Sequence, residues 1–456
     1  MVLTVLSFKI KHEVVQRAIL DGVLRNRSIE KLSIGCFIGN DQSTAQVAAV
    51  ISGNSLIRDL TISLVCNYLD EPNFIYGCWI PPLTQSDTLE EVRFLLSIFS
   101  PSEWVTLIRA LPKKQNLKKV HIDAKSGSEQ LHLVCAEIES IGWEENVSIT
   151  DYCYCHDVEF LRGKAISDVS FCYSLPDDCL VDALRVLPSC QHVSQVSIDL
   201  MTGNMRVSLA LAEYLKSTIA LRHLELIVVR DIVVDAEGAS PCWSVIHESL
   251  SRNNSLRYLK ASVFNYSPQD IEDLADAVKR SQSITGVKFI NKTTRNSTIF
   301  VRCLSKRIED NCTLLSVFSW CSIDTDAAGH WFTICETTRR NAGLVARAAR
   351  FMKASHLDRY VTGALEHVAR YPVLLDEVAE QGHIDKSEIV DLVRDRLKTA
   401  DSMDGFMRVV GVVRERVICH PQNEGHMQLD DLIEDCWMHV RRYLLIDDVK
   451  HGIRSE

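Results

Sequence analysis

The chain lacks any long uninterrupted hydrophobic run. A membrane-spanning helix needs about 18 or more consecutive apolar residues, and the longest candidate, residues 224–234, is interrupted by Glu225, Arg230 and Asp231. The apolar stretch at the amino terminus is too short for the core of a signal peptide, and no basic residues precede it. We therefore predict a cytoplasmic protein without a membrane span.

An excess of positive charge is also missing. Lys and Arg together number 50 against 60 Asp and Glu, which gives a formal net charge of −10. General nucleic-acid binders usually present a basic surface to the phosphate backbone, so we expect no nucleic-acid partner. The 16 cysteines are scattered along the chain, and this usage is typical of free thiols in a reducing compartment.

The motifs that would indicate catalysis are absent. Gly163-Lys164 has Val158 where a phosphate-binding loop needs its first glycine, and Ala165 where the loop needs a hydroxyl. His247-Glu248 is not followed by the second histidine of a zinc protease, and no Gly-x-Ser-x-Gly elbow occurs. We predict that the protein is not an enzyme and binds no cofactor.

We expect two kinds of polar cluster to have structural roles rather than catalytic or metal-binding roles. Cys153-Tyr154-Cys155-His156 contains metal-ligating residue types, but no second ligand pair of suitable spacing accompanies it. We expect a cysteine-bearing loop there and no metal. Carboxylate pairs such as Asp177-Asp178 and Asp430-Asp431 lie beside expected helix ends, where solvated acidic side chains stabilise the helix.

The chain does contain a repeated pattern: one apolar residue, two variable residues, a second apolar residue, one variable residue and a third apolar residue. Most copies lie about 28 residues apart. The long interval after the fourth copy leaves room for a degenerate copy near Val147-Ser148-Ile149. The ten copies cover residues 29–34, 57–62, 89–94, 117–122, 166–171, 193–198, 221–226, 256–261, 284–289 and 314–319.

A helical stretch precedes the copies, as in residues 14–24 and 271–278, where apolar residues recur three and four positions apart. Polar segments such as Arg25-Asn26-Arg27-Ser28 end these helices. The second and third apolar residues of each copy share one face of a strand, because they lie two positions apart. Stacked units therefore predict a parallel sheet with helices outside it.

This pattern resembles the leucine-rich-repeat family, in its longer ribonuclease-inhibitor-like class, which also occurs in NOD-like receptor proteins. The resemblance covers about residues 14–340. It implies an α/β solenoid with a parallel concave β-sheet and convex helices, over a first domain of residues 1–340. The family expects Asn or Cys three residues after the last strand leucine, so the turns should be irregular where this chain has Phe37, Val65, Met201 and Val229.

The strand motif stops before a second domain, residues 341–456, which we predict to be all-helical. Helical apolar spacing recurs at residues 344–352, 389–397, 406–413 and 429–445. Tyr371-Pro372, Asp401-Ser402 and His420-Pro421 mark breaks. This domain either caps the solenoid end or forms a separate docking module. Nothing equivalent is expected before Val14, so the first repeat is either poorly capped or preceded by further chain.

A concave sheet presents one outward residue per strand, between the two inward apolar residues. These positions and the positions two residues earlier are polar and of mixed charge, which favours a reversible protein interface with charge complementarity. Arg93, His223 and Tyr258 are the expected anchors by residue type. The predicted protein-binding residues are Arg93, His121, His223, Glu225, Tyr258, Lys260 and Lys288.

The repeats and the missing catalytic motifs favour a protein-interaction scaffold or recognition protein that binds another protein through the solenoid surface. Two alternatives follow from fold analogy alone. One is a GTPase-activating protein, for which no loop residue can be matched. The other is a substrate receptor of a ubiquitin ligase, a class that usually carries an amino-terminal helical motif, whereas this sequence starts directly in repeats.

Overall fold

The computed structural model describes residues 4–10, 13–36, 41–64, 77–124, 129–154, 157–201, 204–229, 241–263, 266–320, 323–351, 358–419 and 428–449. The chain separates into two compact units, Met1–Asp231 (unit 1) and Ile232–Glu456 (unit 2). Within these ranges no helix is both long and apolar enough to cross a membrane.

The strands are short, as the period-two pattern predicts. They are β1 (Val5–Ile10), β2 (Lys31–Cys36), β3 (Asp59–Leu64), β4 (Glu91–Leu95), β5 (Lys119–Asp123), β6 (Val147–Thr150), β7 (Tyr152–Cys153), β8 (Asp168–Phe171), β9 (Gln195–Met201), β10 (His223–Val229), β11 (Tyr258–Val263), β12 (Gly286–Ile290) and β13 (Ser316–Ser319).

The helices alternate with the strands up to β13, except that β6, β7 and β8 follow one another without an α-helix in the described residues, and after β13 the helices follow one another. They are α1 (Glu13–Arg25), α2 (Asp41–Gly53), α3 (Ile80–Gln85), α4 (Pro101–Ala110), α5 (Glu129–Ser140), α6 (Asp177–Val186), α7 (Met205–Ser217), α8 (Pro241–Arg252), α9 (Pro268–Arg280), α10 (Thr294–Ser305), α11 (Ala328–Phe351), α12 (Arg359–Ala369), α13 (Pro372–Gly382), α14 (Lys386–Leu397), α15 (Met403–Val409) and α16 (Glu434–Arg441).

The strands of unit 1 are parallel and in repeat register. β1 to β6 form one sheet in sequence order, and β7 to β10 are likewise neighbours in sequence order. Leu32 lies opposite Leu60, and Val92 lies opposite Val120. Equivalent motif positions therefore line up from strand to strand, and the predicted α/β repeat fold with a helical carboxyl-terminal region is confirmed.

The core of each repeat lies between its strand and its helix. Leu32 and Ile34 on β2 are almost completely buried, and burial of one such side chain stabilises the fold by about 1.5–3 kcal/mol. Helix α4 shows the matching pattern: Ser100 and Glu103 form a capping box at its start, and Trp104 is buried. These contacts make each unit a continuous stack of small cores.

Asparagines at the helix ends bind the backbone that enters the next strand. The side-chain oxygen of Asn311 accepts the amide hydrogen of Leu314 at 2.8 Å, and Asn26 and Asn253 make the equivalent bond in their repeats. The Asn311 amide group also donates to the Lys279 carbonyl of the preceding repeat at 3.1 Å. These polar segments therefore join neighbouring repeats as well as ending helices.

The sheet of β1 to β6 ends at the degenerate repeat that the sequence predicted near Val147-Ser148-Ile149. β6 pairs with β5, but Asp151 then adopts a left-handed conformation with φ 55°, and β7 pairs with β8. The Asp151 amide donates to the Asp168 carboxylate at 3.2 Å. Because Asp tolerates the left-handed region better than most residues, this kink is sustained at little cost.

The strands of unit 2 lie in the order β11-β12-β13. Helix α11 follows β13 and continues without a break through Asn341. Its buried residues Val345 and Ala348 share a core with Leu365 of α12 and Leu374 of α13. The domain boundary at residue 340, and the choice between a cap and a docking module, stay predictions.

Helix α13 lies against the residues that immediately precede two strands of unit 2. The Arg257 guanidinium, before β11, forms ion pairs with Asp376 and Glu380 of α13. The Thr285 hydroxyl, before β12, donates to the Glu377 carboxylate at 3.3 Å. The helical region therefore packs along the edge of the sheet where these strands begin.

One strand at the amino-terminal end was not predicted from the sequence. β1 precedes α1 and pairs with β2, so that Leu6 lies opposite Leu32 and Phe8 lies opposite Ile34. Leu6 and Phe8 have the spacing of the last two motif positions, but the sequence search expected a helical stretch before each copy. The repeat pattern therefore begins before Val14.

Two expectations about the last helices need correction. α15 ends at Val409, short of the predicted residue 413, because Gly411 adopts a left-handed conformation with φ 78°. The predicted segment 429–445 is a short turn followed by α16, which ends at Arg441. The predicted break at Tyr371-Pro372 is confirmed between α12 and α13, and the break at His420-Pro421 lies outside the described residues.

Candidate protein-binding faces of the sheets

The register brings the predicted binding residues into rows on the outer face of each set of strands, the face turned away from the helices. Arg93 lies opposite His121 on neighbouring strands. His223 and Glu225 both lie on β10, and Lys260 lies opposite Lys288 in unit 2. Three separate groups result, and their chemistry differs.

The first group lies on β1 to β5 and carries mixed charge. Arg93 is exposed, whereas His121 is half-buried, and burial together with the nearby charges of Arg93 and Lys119 lowers the pKa of His121 to about 4. His121 is therefore neutral at pH 7. Lys31 and Asp59 form an ion pair with each other. The charges of these two residues therefore cancel on this face.

A shallow depression of about 190 Å³ lies on this first face. It is too small and too open for a drug-sized ligand, whose pockets usually exceed about 300 Å³. Its polar lining residues are Lys31, Ser33, Asp59, Thr61, Glu91, Arg93 and His121. The depression is consistent with a contact surface rather than with a closed active site.

The second group lies on β8 to β10 and is acidic. Burial raises the pKa of the Asp168 carboxyl to about 6, and Gln195 donates to this carboxylate at 2.6 Å. Burial also raises the pKa of Asp199, and the neighbouring charge of Glu225 adds to the increase. His223 is exposed on the same strand as Glu225.

The third group lies on β11 to β13 and is basic and aromatic. The Lys288 ammonium lies 5.5 Å from the centre of the Phe318 ring, directly across from it in the register. The Phe318 ring meets Trp320 edge-on at a centroid distance of 6.4 Å. We call the surface formed by Tyr258, Lys260, Lys288, Phe318 and Trp320 the Lys–aromatic face.

The small residue Gly286 gives Tyr258 its place on the Lys–aromatic face. A Cβ atom at Gly286 would lie 2.8 Å from the Tyr258 ring, closer than real Cβ contacts allow. Since the two residues are opposite each other in the register, the ring covers the position that a side chain would otherwise occupy. Glycine at this position therefore allows the Tyr258 ring to pack directly on the backbone of β12.

Sequence reasoning missed Phe318 and Trp320. It assigned Val317 and Ser319 to the inward side of the tenth copy but did not carry the outward row on to Phe318. The structure leaves Phe318 49% and Trp320 67% exposed. The alternation at residues 316–320 was the signal that could have identified them.

The other clusters singled out in the sequence form no metal site within the described residues. No group of three or more metal-ligating side chains occurs there, and Cys155 and His156 lie outside the described residues. Asp177 and Asp178 lie in the first turn of α6, where their charge stabilises the helix.

No protein-family model and no curated protein matches the chain. Among solved structures, it is similar to the leucine-rich repeat-containing protein LegL7 from Legionella pneumophila, with 13% identity and a TM-score of 0.39 over 68% of this chain and 96% of that chain. A similarity of this size carries no weight of its own. The strand register and helix packing themselves define the class: an α/β repeat protein with parallel strands and a helical carboxyl-terminal region.

Proposed function

We propose that this chain is a non-enzymatic protein-interaction scaffold whose Lys–aromatic face binds an acidic segment of another protein. The observation that supports this proposal most strongly is the Lys288–Phe318–Trp320 arrangement, which places a cation and two exposed aromatic rings side by side. Aromatic side chains dominate the binding energy of many protein interfaces, because they bury a large area with little loss of conformational entropy.

The two exposed aromatic rings place apolar surface in water, which is unfavourable in free energy, and a bound partner would cover this surface. Phe318 and Trp320 each bury about 150–250 Å² when fully covered, and both remain largely exposed on β13 and just after it. Contiguous exposed apolar surface rimmed by polar residues typically marks an interaction site. The aromatic pair therefore supports a contact surface at this end of the unit 2 sheet.

The charge of the face favours an acidic partner. The outward positions on β11, β12 and β13 contain Lys260 and Lys288 and, among the described residues, no carboxylate. The chain as a whole carries a formal net charge of −10, so this face is a local exception. Complementary charge would accelerate association and exclude basic partners.

The other two groups of predicted residues are proposed as additional contacts. Arg93 is exposed, so it can receive a carboxylate from a partner. His223 and Glu225 lie on an acidic face that would suit a basic segment. His121, being neutral at pH 7, would contribute a hydrogen bond rather than a charge.

The experiment selects ligands without assuming one. A random peptide library displayed on phage is panned on the full chain, and an enriched peptide is synthesised with a fluorescent label. We expect the enriched sequences to combine Asp or Glu with apolar residues. Fluorescence anisotropy should then show that Lys288→Glu and Trp320→Ala each weaken binding by about tenfold or more, equivalent to about 1.4 kcal/mol or more.

Arg295→Glu is the matched control, because Arg295 is an exposed cation in the first turn of α10, in the repeat between β12 and β13. It should leave peptide affinity within about twofold of the original value. Enriched peptides without an excess of acidic residues, or equal binding by the original chain and Lys288→Glu, would contradict the proposal.

Two finer assignments belong to the same proposal. The ribonuclease-inhibitor-like subclass is supported by full helices of 10–13 residues in several repeats, such as α6 and α9. A cytoplasmic location is supported by the free thiols of the described cysteines. The described residues offer no observation that favours the GTPase-activating or ubiquitin-ligase alternatives.

A further inference from the structure

Two cysteines of unit 1 lie close enough for covalent chemistry. The sulfur atoms of Cys153 and Cys172 are 3.0 Å apart, about 1 Å more than the length of an S–S bond. Cys153 ends β7, and Cys172 follows β8 directly. Both side chains are half-buried, and neither forms a disulfide.

The strand register puts both thiols on the same face. Cys153 lies opposite Ser170 in the parallel ladder, and Cys172 is two residues beyond Ser170. Since side chains two apart share a face of a strand, the two sulfur atoms meet diagonally across neighbouring strands. Their contact is therefore set by the ladder and not by a chance encounter of loops.

Inward neighbours hold the pair in place. Tyr152 and Tyr154 flank Cys153 and are buried, and Phe171, which precedes Cys172, is also buried. The Tyr154 and Phe171 rings pack at a centroid distance of 5.3 Å, and the Tyr154 amide donates to the Ser170 carbonyl at 2.9 Å. These contacts keep the two sulfur atoms adjacent, although β7 itself is only two residues long.

We propose that Cys153 and Cys172 form a reversible intrachain disulfide, with glutathione disulfide as the oxidant. One cysteine thiolate attacks glutathione disulfide, forms a mixed disulfide and releases one glutathione. The second thiolate attacks the cysteine sulfur of the mixed disulfide and releases the second glutathione. Two electrons pass from the cysteine pair to glutathione disulfide, and the two thiol protons end on the two released glutathione molecules.

The bond would lie beside the kink at Asp151, where the sheet of β1 to β6 ends and β7 begins. β7 is the shortest strand described, with only two residues, so few backbone hydrogen bonds hold it. A covalent link from β7 to β8 would stabilise the pairing of these two strands, because it closes the loop between the two cysteines. The reduced and oxidised forms would therefore differ in the local stability of the kink.

The test equilibrates the full reduced chain in glutathione buffers of graded ratio, blocks free thiols and maps peptides by mass spectrometry. We expect a peptide linking Cys153 to Cys172 in the monomer, with a mass lower by two hydrogens, accumulating along a two-electron redox curve. Hydrogen exchange around β7 should slow in the oxidised form. Cys153→Ser and Cys172→Ser should lose the link, while Cys179→Ser and Cys155→Ser should retain it.

Three outcomes would overturn the inference. The chain could stay reduced at the most oxidising ratio, it could stop at mixed disulfides with glutathione, or Cys153 could link as readily to other cysteines. Circular dichroism of each serine variant shows whether it is folded. If Cys153→Ser or Cys172→Ser is unfolded, the test depends on two other samples. The peptide linking Cys153 to Cys172 should then be found in the original chain and in Cys179→Ser.

Discussion

Arg257 and Asp376 form an ion pair that joins the start of β11 to helix α13, and the arginine side chain is only 9% exposed. Glu380, one turn further along α13, contacts the same guanidinium at 3.2 Å. Through this arginine, the carboxyl-terminal helices are fixed to the repeats of unit 2.

Replacement of Arg257 by Ala should destabilise unit 2. It would leave Asp376 without its cation, whereas Glu380 keeps its ion pair with Lys386. Loss of one partner from a buried pair is costly because the other charge stays partly desolvated. Since Asp376 is about one-third exposed, we expect a loss of about 2 kcal/mol in the free energy of unfolding, measured with urea. Hydrogen exchange in α13 should accelerate.

Arg252→Ala provides the control for this prediction. Arg252 forms an exposed pair with Glu248 within α8, so its removal should cost less than about 0.5 kcal/mol. Equal losses for the two variants would show that the Arg257 pair does not hold the helices to the repeats.

Acid should destabilise the protein through His247. This side chain is buried against Trp243 and Tyr266, and burial lowers its pKa from 6.5 to about 3. The folded state therefore resists protonation, whereas the unfolded state takes up a proton below pH 6.5. Between pH 6.5 and 5 this difference should remove about 2 kcal/mol of stability, at about 1.4 kcal/mol per pH unit.

His247→Leu should lack this component, since leucine does not titrate. Urea unfolding at a series of pH values should show a smaller loss for the variant between pH 6.5 and 5. Parallel pH profiles for the two proteins would contradict the prediction. They would mean that the pKa of His247 in the folded state is close to its pKa in the unfolded state.

Cys312 should be an unusually reactive thiol. A hydrogen bond from His367 lowers its pKa, against the opposing effect of partial burial, so the thiolate is present at lower pH than for an ordinary cysteine. Iodoacetamide labelling followed by mass spectrometry should therefore reach half its maximal rate at lower pH for Cys312 than for Cys335, whose pKa is raised by burial.

His367→Ala tests the cause of this reactivity. Without the imidazole, the labelling profile of Cys312 should shift to higher pH, while that of Cys335 should not move. A profile for Cys312 that is the same with and without His367 would assign its reactivity to another group.

The last helices should depend on Arg441. Its guanidinium is buried, lies 2.6 Å from Glu366 of α12 and stacks 4.6 Å from the centre of the Phe406 ring. Replacement by Met keeps much of the volume but leaves the buried Glu366 carboxylate without its cation, with the Ile446 amide still donating to it. Limited proteolysis should then cut residues 398–449 several times faster, with no change in cleavage of unit 1.

Arg394→Met is a suitable comparison, because Arg394 forms an exposed pair within α14. Its proteolysis should match that of the original chain. If Arg441→Met is cut at the original rate, the Arg441–Glu366 ion pair does not hold this segment in place.

Much of the fold could be read from the sequence, because the spacing of apolar residues states which face of a strand is buried. Leu32 and Ile34, Leu60 and Ile62 alternate with polar residues, and the structure pairs them as predicted. β1 was not predicted because the search expected a helical stretch before each copy of the pattern. The end of α15 was predicted too late in the sequence. The apolar spacing continues past Val409, but the left-handed conformation of Gly411 ends the helix.

The candidate site was predictable only in part. The register rule gave Lys260 and Lys288 their shared face, but an outward position does not reveal how much of it is exposed or what lies beside it. His121 is half-buried and neutral, which the sequence could not show. The ion pairs of Arg257 with Asp376 and Glu380 join residues more than a hundred positions apart and leave no local signal.

The most direct measurement for the Lys–aromatic face is photo-crosslinking from its centre. Phe318 is replaced by the photoreactive analogue p-benzoylphenylalanine, and the selected acidic peptide is added and irradiated. Phe332 on α11, which is 66% exposed, receives the same substitution as the control. We predict a crosslink to the peptide from position 318 and none from position 332. Crosslinking from position 332 alone, or from neither position while the peptide still binds, would contradict the proposed face.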